Sequence, residues 1–240
     1  MCRLLLSCTR LSGRFHFRPL PPDACPTHPT AGLVTRPQPG GGALYEFRTY
    51  QIHPDRNSAF LKLTDEKIHL RTAHSELVGY WRVEYGALNQ VFHIWKYESY
   101  AHRTAVRSAL AQDERWMNEY IVHAMPMLAR QDNRVVALLP WSSISAPPRL
   151  GGIFELTSFR TRPGTGHAWA ASFQNSDEPG RPRLVAAFRG DVGHPDTVYA
   201  LRWFESADER GLTPSDADAS GPVESRRNKL MFPCSFSPLK

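Results

Sequence analysis

LYEFRTYQIHP (Leu44–Pro54) recurs as IFELTSFRTRP (Ile153–Pro163), 109 positions further along the chain. Two more pairs match at an offset of 107: LVGYWRVEYG (Leu77–Gly86) with LVAAFRGDVG (Leu184–Gly193), and VFHIWKYES (Val91–Ser99) with VYALRWFES (Val198–Ser206). Agreement of three segments in the same order and at nearly constant spacing is typical of an internal duplication. The sequence therefore predicts two copies of one domain.

Each copy is predicted to be a small α+β unit. The first copy has the order βαββαβ: a strand Leu44–Ile52, a helix from Asp55 or Asn57 to near His74, strands Leu77–Tyr85 and Val91–Tyr97, a helical stretch from Ser99 to Pro126, and a closing strand Val135–Leu139. The strands are rich in aromatic and β-branched residues, and the helices keep apolar residues at helical spacing. This order is the split βαβ arrangement of ferredoxin-like domains.

Two such sheets are expected to pack face to face. Helices cover one face of a ferredoxin-like sheet, and the other face needs a partner. Within Val91–Tyr97, the apolar residues fall on both faces of the strand, which predicts burial on both sides. We therefore expect tandem ferredoxin-like repeats of the dimeric α/β-barrel type, with domains at residues 43–141 and 151–240 and a linker at residues 142–150.

The second copy is predicted to have reduced helical cover. After Pro163, only Trp169 and Phe173 keep helical spacing before a Pro/Gly-rich break, and the stretch after Ser206 is too rich in Gly, Pro and Asp for a long helix. Of the closing strand, only Met231–Pro233 is expected to remain. With less cover, Phe188, Tyr199 and Trp203 would lie exposed, and an exposed apolar patch of this kind marks an interface.

Residues 1–42 are predicted to be a leader followed by a Pro/Gly-rich linker. The first 40 residues contain five arginines, no lysine and one acidic residue, Asp23. This composition is typical of a mitochondrial presequence. A secretory signal is the alternative, but its apolar stretch would be only Leu4–Leu6. We expect a mitochondrial protein, with a cytosolic location as the alternative.

The charge pattern argues against a nucleic-acid partner. The net charge of +6 falls to +2 when residues 1–40 are removed, and the remainder has no basic stripe that would follow a row of phosphates. No apolar run approaches the roughly 20 residues of a membrane-spanning helix, so we expect at most peripheral membrane contact. Only Cys234 lies outside the leader, so neither an internal disulfide nor a zinc site is predicted.

Three segments resemble the NIPSNAP family: HLRTAHSELVGYWRVEYG (His69–Gly86), VFHIWKY (Val91–Tyr97) and HRTAVRSALAQDERW (His102–Trp116). The ending SFSPLK (Ser235–Lys240) is similar to the tail of the third subgroup of that family. The resemblance implies a fold like that of the dimeric α/β-barrel proteins. It also implies an association with mitochondria, vesicle transport or mitochondrial quality control, with protein partners that include autophagy adaptors. A homo-oligomer is a further expectation. The resemblance carries no catalytic residues across, and in the family the second copy has longer helices than this sequence predicts.

Few residues point to chemistry. No phosphate-binding loop, nucleophile elbow or HExxH motif is present, so no catalytic residue, metal ligand or cofactor is assigned. His93 alternates with Val91 and Trp95 on a strand that we expect to face the barrel interior. Glu46 and Glu155 recur in both copies, and we expect each to pair with an arginine across the sheet: Arg48, Arg82 or Arg189. Their repetition favours a role in the fold.

Two hypotheses of function follow. The first is a non-enzymatic adaptor or scaffold of mitochondria and vesicle membranes, as the family resemblance implies. The second is a protein that binds a small molecule or haem, or a cryptic oxidase, with His93, Trp95 and Tyr80 or Arg82 around a cavity. A filled interior would favour the adaptor, whereas a polar-lined cavity of a few hundred Å³ would favour the binding protein.

Overall fold

The computed structural model describes residues 42–172, 183–212 and 221–240. The first half contains β1 (Leu44–Ile52), α1 (Asn57–Thr72), β2 (Glu76–Tyr85), β3 (Gln90–Tyr97), α2 (Tyr100–Gln112), α3 (Val122–Ala124) and β4 (Leu128–Leu138). A 3₁₀ turn, Pro54–Arg56, precedes α1. A π-helical segment, Trp116–Ile121, lies between α2 and α3, and a second 3₁₀ turn, Met125–Met127, precedes β4. The order of the main strands and helices follows the prediction.

The second half contains β5 (Ile153–Thr161), α4 (Gly166–Ser172), β6 (Arg183–Val192), β7 (Thr197–Phe204), α5 (Ala207–Leu212) and β8 (Val223–Pro233). Its two described helices span 7 and 6 residues, whereas α1 and α2 span 16 and 13. Phe173, the Pro/Gly-rich break predicted before Leu184 and part of the Gly-, Pro- and Asp-rich stretch predicted after Ser206 lie outside the described residues. In the part of the chain that the structure describes, no helix is long and apolar enough to cross a membrane.

The eight strands form one closed barrel in the order β1-β3-β2-β8-β5-β7-β6-β4. Neighbouring strands are antiparallel throughout. The two halves join at two places, where β2 pairs with β8 and β4 pairs with β6. Closure pairs every strand of the described sheet with a neighbour on each side over at least part of its length, so none of these strands is an edge strand. The predicted face-to-face association of two sheets therefore takes the form of a single continuous barrel.

The barrel interior is filled with large apolar side chains from every strand. The cluster includes Phe47, Trp81, Phe92, Phe154 and Phe188, and no helix contributes a buried residue to it. Phe47 lies at the centre of edge-on ring contacts, with its ring centre 5.0–5.3 Å from those of Phe92, Phe188 and Tyr199. Such contacts stabilise a core beyond the area that they bury.

A second apolar layer lies outside the barrel, between the strands of the first half and their helices. It contains Tyr50 and Trp95 from the strands, and Phe60, Val106 and Tyr120 from the helical segments. Every residue from Val91 to Trp95 is buried, so the prediction that β3 is buried on both faces is confirmed. The Ser99 hydroxyl accepts a hydrogen bond from the His102 backbone N–H at 3.0 Å, which fixes the start of α2.

Two strands are longer than the sequence indicates. β4 begins at Leu128, seven residues before the predicted Val135, and β8 begins at Val223 instead of Met231. Residues 130–134 and 224–229 are mostly polar and at least partly exposed, so they lack the apolar signal of a strand. Both stretches nevertheless pair with neighbouring strands, β1 and β5 respectively, and backbone pairing needs no apolar side chains.

The prediction of an exposed aromatic patch in the second half is wrong. Phe188, Tyr199 and Trp203 are 0%, 1% and 6% exposed. All three belong to the cluster inside the barrel, where the other half of the sheet covers them. Barrel closure therefore buries these side chains without any need for helical cover.

Glu46 and Glu155 are buried carboxylates that occupy equivalent positions in the two halves. Glu46 accepts hydrogen bonds from Arg103 of α2 at 2.6 Å and from Asn133 of β4 at 2.9 Å. Glu155 accepts hydrogen bonds from Arg210 of α5 at 2.8 Å and from Asn228 of β8 at 2.6 Å.

The arginine partners thus differ from the predicted Arg48, Arg82 and Arg189. Both observed partners lie on the helix that follows the third strand of each half, whereas the predicted partners all lie on strands. A sequence signal for them exists, because ESYAHR (Glu98–Arg103) and ESADER (Glu205–Arg210) share the Glu-Ser pair and the arginine at identical spacing.

We predict that Arg103→Met lowers the free energy of unfolding by about 3 kcal/mol, because it leaves the Glu46 carboxylate buried without its cation. Arg107→Met, one turn later on α2, is the control, since Arg107 is exposed and makes no ion pair with Glu46. Urea unfolding followed by circular dichroism measures both changes. Equal stabilities of the two variants would contradict the structural role of the Glu46–Arg103 pair.

Candidate functional site

A cavity of about 350 Å³ lies between the outer face of the first-half sheet and its helices. Its sheet side is formed by Arg48 and Tyr50 of β1, Tyr80 of β2, and His93 and Trp95 of β3. Its helix side includes the apolar or aromatic residues Ile68, Leu110, Trp116, Met117, Tyr120 and Ile121, together with Arg71 of α1 and Arg107 of α2. The cavity thus has a polar and aromatic floor opposite a mostly apolar roof that carries two arginines.

The structure brings together three of the four side chains proposed around a cavity. His93, Trp95 and Tyr80 line the same space, whereas Arg82 is exposed on β2 outside it. The expectation that His93 faces the barrel interior is wrong, because Phe92 and Ile94 take the inner face. The alternation of a strand defines two faces, but it does not indicate which face is inside.

Hydrogen bonding fixes the tautomer of His93. The Trp95 indole N–H donates to His93 Nδ1 at 2.7 Å. An indole nitrogen can only donate, so Nδ1 is the acceptor and the neutral ring carries its proton on Nε2. His93 is 3% exposed, and among the described residues its Nε2 has no hydrogen-bond partner. The ring therefore presents a buried N–H donor at the cavity.

Two aromatic rings hold the imidazole in place. The Tyr80 ring stacks on His93, with ring centres 4.5 Å apart and planes at 13°. The Tyr50 ring meets it edge-on, with ring centres 4.8 Å apart. The imidazole is confined between fixed neighbours, so the direction of its Nε2–H is set before any ligand arrives.

A polar network behind the cavity orients Trp95. The Arg71 guanidinium lies 4.1 Å from the centre of the Trp95 ring, a cation–π contact. Arg71 also donates to the Ser75 hydroxyl and, at 2.8 Å, to the Tyr97 hydroxyl. Tyr97 in turn donates to Glu46 at 3.2 Å. The buried carboxylate of the fold is thus connected, through two side chains, to the indole that fixes the His93 tautomer.

Tyr80 is held by the C-terminal segment. The Tyr80 backbone N–H donates to the Ser237 hydroxyl at 2.8 Å, and the Tyr80 carbonyl accepts from the Cys234 N–H at 3.0 Å. The Phe236 ring lies 5.0 Å from the Tyr80 ring. The tail that follows β8 therefore continues the pairing along β2 and supports the ring that stacks on His93.

The electrostatic environment keeps His93 neutral. Burial, together with the positive charges of Arg48 and Arg71, holds the pKa of His93 well below its usual value. With Nδ1 engaged by Trp95 and a proton on Nε2, the ring has no free lone pair for a base or for a metal. A histidine that ligates a metal normally donates its other N–H to an acceptor, whereas here the second nitrogen accepts. His93 therefore does not fit the role of an axial haem ligand.

The second half lacks this arrangement. Arg48 and His93 are cross-strand neighbours, and the positions at the repeat offsets, Thr157 and Ala200, are also cross-strand neighbours. Both are fully buried, and Trp169 from α4 packs beside this face against Phe159, with ring centres 4.9 Å apart. The buried Glu–Arg–Asn cluster occurs in both halves, whereas the arginine–histidine pair occurs in the first half alone among the described residues.

A smaller cavity of about 190 Å³ lies within the barrel. Lys229 and Arg134 line it, and the Lys229 ammonium donates to Gln90 Oε1 at 2.8 Å. Burial, reinforced by the positive charge of Arg134, lowers the pKa of Lys229 to about 8. The cavity is polar on one side, but its lysine is already engaged by Gln90.

Fold and cavity together define a closed α+β barrel with a ligand-sized space beneath its helices. The NIPSNAP family model matches residues 45–143. The chain is 37% identical over 239 residues to Protein NipSnap homolog 3B of Mus musculus, which covers 93% of this chain and 94% of that protein. It is 36% identical over 239 residues to Protein NipSnap homolog 3A of Homo sapiens, with the same coverage. The chain belongs to the NIPSNAP family, as the resemblance predicted.

The fold also resembles that of proteins with little sequence similarity. A proposed monooxygenase of Fusobacterium nucleatum superposes with a TM-score of 0.59 over 80% of this chain and 92% of that chain, at 7% sequence identity. At this identity the likeness concerns the fold alone.

Arg48 and Arg71 are among the cavity residues that the sequence pattern does not place at the cavity. Arg48 becomes a neighbour of His93 only through the register between β1 and β3, and these strands are separated in sequence by α1 and β2. Arg71 lies in the last turn of α1, and the helical pattern of apolar residues does not indicate that this arginine points toward a cavity.

We predict that His93 makes the protein less stable in mild acid. Its folded pKa lies below 6.5, so below about pH 6.5 the unfolded chain binds one more proton, and stability falls by up to about 1.4 kcal/mol per pH unit as the pH decreases. His93→Gln removes this contribution, whereas the exposed His123→Gln retains it. Unfolding free energies measured from pH 7 to pH 5 test the difference; identical slopes for wild type and His93→Gln would contradict it.

Proposed function

We propose that this chain is a small-molecule-binding protein and that the cavity beneath the helices of the first half is its ligand site. The observation that carries the proposal is the buried Nε2–H of His93, a residue that lines the cavity; this donor lacks a partner among the described residues. Buried polar groups in proteins are nearly always paired, and an unpaired one at a cavity indicates a bound molecule or water. The volume of the cavity lies within the range of ligand pockets.

Comparison of the two halves supports this proposal. The Glu46 and Glu155 clusters serve the fold in both halves, and each joins a helix to its sheet. Arg48 and His93, by contrast, replace small buried residues of the second half, Thr157 and Ala200. A partly buried arginine and a buried histidine cost more to desolvate than a buried threonine and alanine. Their presence in one half is therefore better explained by a ligand than by packing.

The arrangement favours binding without catalysis. The oxidase form of the second hypothesis would need a base or a metal ligand at the cavity, and His93 offers neither in its hydrogen-bonded tautomer. The Tyr80 side chain stays protonated because burial raises its pKa well above the usual value. The floor of the cavity therefore orients a molecule through hydrogen bonds and ring contacts.

We predict that Ala111→Trp blocks ligand binding. Ala111 is an exposed residue of α2 at the rim of the cavity, so an indole there obstructs the opening without disturbing the core. A thermal-shift screen of acidic, neutral and basic fragments is run on the wild type, on Ala111→Trp and on Ala109→Trp. Ala109 is exposed on the same helix but does not line the cavity.

Fragments present at 100 times their Kd should stabilise the wild type and Ala109→Trp by about 2.7 kcal/mol, and Ala111→Trp much less. A screen in which every stabilising fragment acts equally on all three proteins would rule out the cavity as the ligand site.

We also propose that the two halves, residues 43–141 and 151–240, are duplicated ferredoxin-like units joined by the linker at residues 142–150. The shared element order, the equivalent carboxylate clusters and the Ser99 and Ser206 caps support this proposal. A ferredoxin-like unit of this kind leaves one sheet face open, so the duplication provides the partner sheet within one chain.

A second proposed function is that of an adaptor or scaffold linked to mitochondria, vesicle transport or mitochondrial quality control. It rests on the family resemblance and on the composition of residues 1–42. The hairpin turn after β2 also exposes two apolar side chains, Tyr85 at 51% and Leu88 at 68%, which a protein partner would cover.

Proximity labelling of the full chain and of a version without residues 1–40 tests the adaptor proposal. We expect mitochondrial neighbours for the full chain only. Identical cytosolic neighbours for both versions would contradict the mitochondrial location, and loss of the same neighbours on Leu88→Asp would support the hairpin as a docking point.

A further inference from the structure

Positive charge dominates the cavity beneath the helices. Three arginines and one histidine line it, and none of the lining residues that the structure describes is acidic. The Glu46 carboxylate interacts electrostatically with Arg48 and Arg71 and also accepts hydrogen bonds from Arg103, Asn133 and Tyr97. One carboxylate does not balance the three arginines of the lining, so a molecule that enters the cavity meets an excess of positive charge in a partly desolvated space, which favours an anion.

The three arginines differ in their exposure and in how many contacts their guanidinium groups already make. Arg71 is occupied by Ser75, Tyr97 and the Trp95 ring, so it forms part of the wall. Arg107 is exposed at the rim. Arg48 makes one long hydrogen bond, at 3.4 Å to Gln131, and its guanidinium carbon lies 5.1 Å from the centre of the Tyr50 ring. Its Nε has no hydrogen-bond partner among the residues described. A hydrogen bond of 3.4 Å is weak, and a cation–π contact does not use the N–H donors at the edge of the guanidinium, so these donors are available to a ligand.

The Arg48 and His93 side chains start from neighbouring positions because the two residues are paired across β1 and β3. Directly opposed residues of an antiparallel pair have Cβ atoms about 5 Å apart. Both side chains lie on the helix-covered face, and both present N–H donors. The His93 ring is neutral and its donor is fixed by Trp95, so the pair offers hydrogen-bond donors and one formal charge.

We propose that the cavity binds an organic monocarboxylate, with the carboxylate accepting hydrogen bonds from the Arg48 guanidinium and His93 Nε2–H and an apolar body lying under Ile68, Leu110 and Met117. This assignment deepens the small-molecule-binding function proposed above and depends on it. The planar guanidinium fork matches the geometry of a carboxylate. A phosphate dianion would require more free donors than these two residues supply.

Trp95 is a positioning residue in this site. It touches the ligand pocket, but its role in anion recognition is to keep the proton of His93 on Nε2. Without the indole N–H, the ring can place its proton on Nδ1 and present a lone pair to the carboxylate, which would repel it. Trp95→Phe should therefore weaken the binding of the acid and leave the binding of a neutral analogue nearly unchanged.

The test compares 4-phenylbutanoate with its neutral analogue 4-phenylbutanamide on the full chain. Binding is measured by calorimetry at pH 7 for the wild type, Arg48→Met, Trp95→Phe and two controls. Arg82→Met removes an exposed arginine outside the cavity, and Lys229→Met removes the cation of the smaller cavity inside the barrel. Circular dichroism and thermal unfolding confirm that each variant is folded.

We expect the acid to bind the wild type at least about tenfold more tightly than the amide, since hydrogen bonds to a charged group are worth that much. Arg48→Met should remove this preference, and both controls should keep it. Equal affinities of acid and amide, or a preference that survives Arg48→Met, would overturn the carboxylate assignment. The assignment would also be overturned if only Lys229→Met lost binding of the acid. It would be overturned as well if inorganic phosphate competed with 4-phenylbutanoate as effectively as acetate does.

The two proposals fail in different ways. If neutral fragments bind, are blocked by Ala111→Trp and are preferred over 4-phenylbutanoate, the ligand site stands and the carboxylate assignment is wrong. If 4-phenylbutanoate binds equally well to Ala111→Trp, the cavity is not the site and both proposals are wrong.

Discussion

The structure depends on the pairing that joins its two halves, β2 with β8 and β4 with β6. A four-stranded sheet from either half exposes one broad apolar face, and the two junctions turn both faces inward. Closure explains how the second half buries its aromatic side chains although its described helices are short, since Phe188 and Tyr199 are covered by the opposite sheet. It also decides the position of the functional residues. The interior is mostly filled with aromatic rings, so a cavity of ligand size forms on the outer face, beneath α1, α2 and the π-helical segment.

A chain of polar contacts connects this architecture to the site. The Glu46 carboxylate joins α2 and β4 to β1. The same carboxylate accepts from Tyr97, which accepts from Arg71, and Arg71 lies against Trp95. Trp95 then fixes the proton of His93 on Nε2. Because the members of a buried polar network polarise and orient one another, the direction of one N–H at the cavity depends on contacts reaching across the sheet.

The sequence predicted those features that leave a periodic or repeated signal. The repeated segments predicted the order of the strands. The apolar residues of Val91–Tyr97 predicted that β3 is buried on both faces, and Ser99 predicted the start of α2. Features without such a signal were missed. The polar stretches at the start of β4 and β8 pair through backbone hydrogen bonds that need no apolar side chains. The helical position of Arg103 was overlooked although the Glu-Ser-x-x-x-Arg spacing recurs. His93 was placed in a cavity correctly, but on the wrong face of the sheet. Arg48 joins it through a strand register that only the closed sheet defines.

We infer that the outer cavity, with its fixed His93 donor and the Arg48 guanidinium, receives an anionic ligand. A crystal structure of the full chain with 4-phenylbutanoate tests this inference most directly. We predict electron density for the ligand beneath α1 and α2, with a carboxylate oxygen about 2.8 Å from His93 Nε2 and the Trp95 bond to Nδ1 intact. Density for the ligand inside the barrel beside Lys229, or a His93 ring turned away from the ligand, would contradict it.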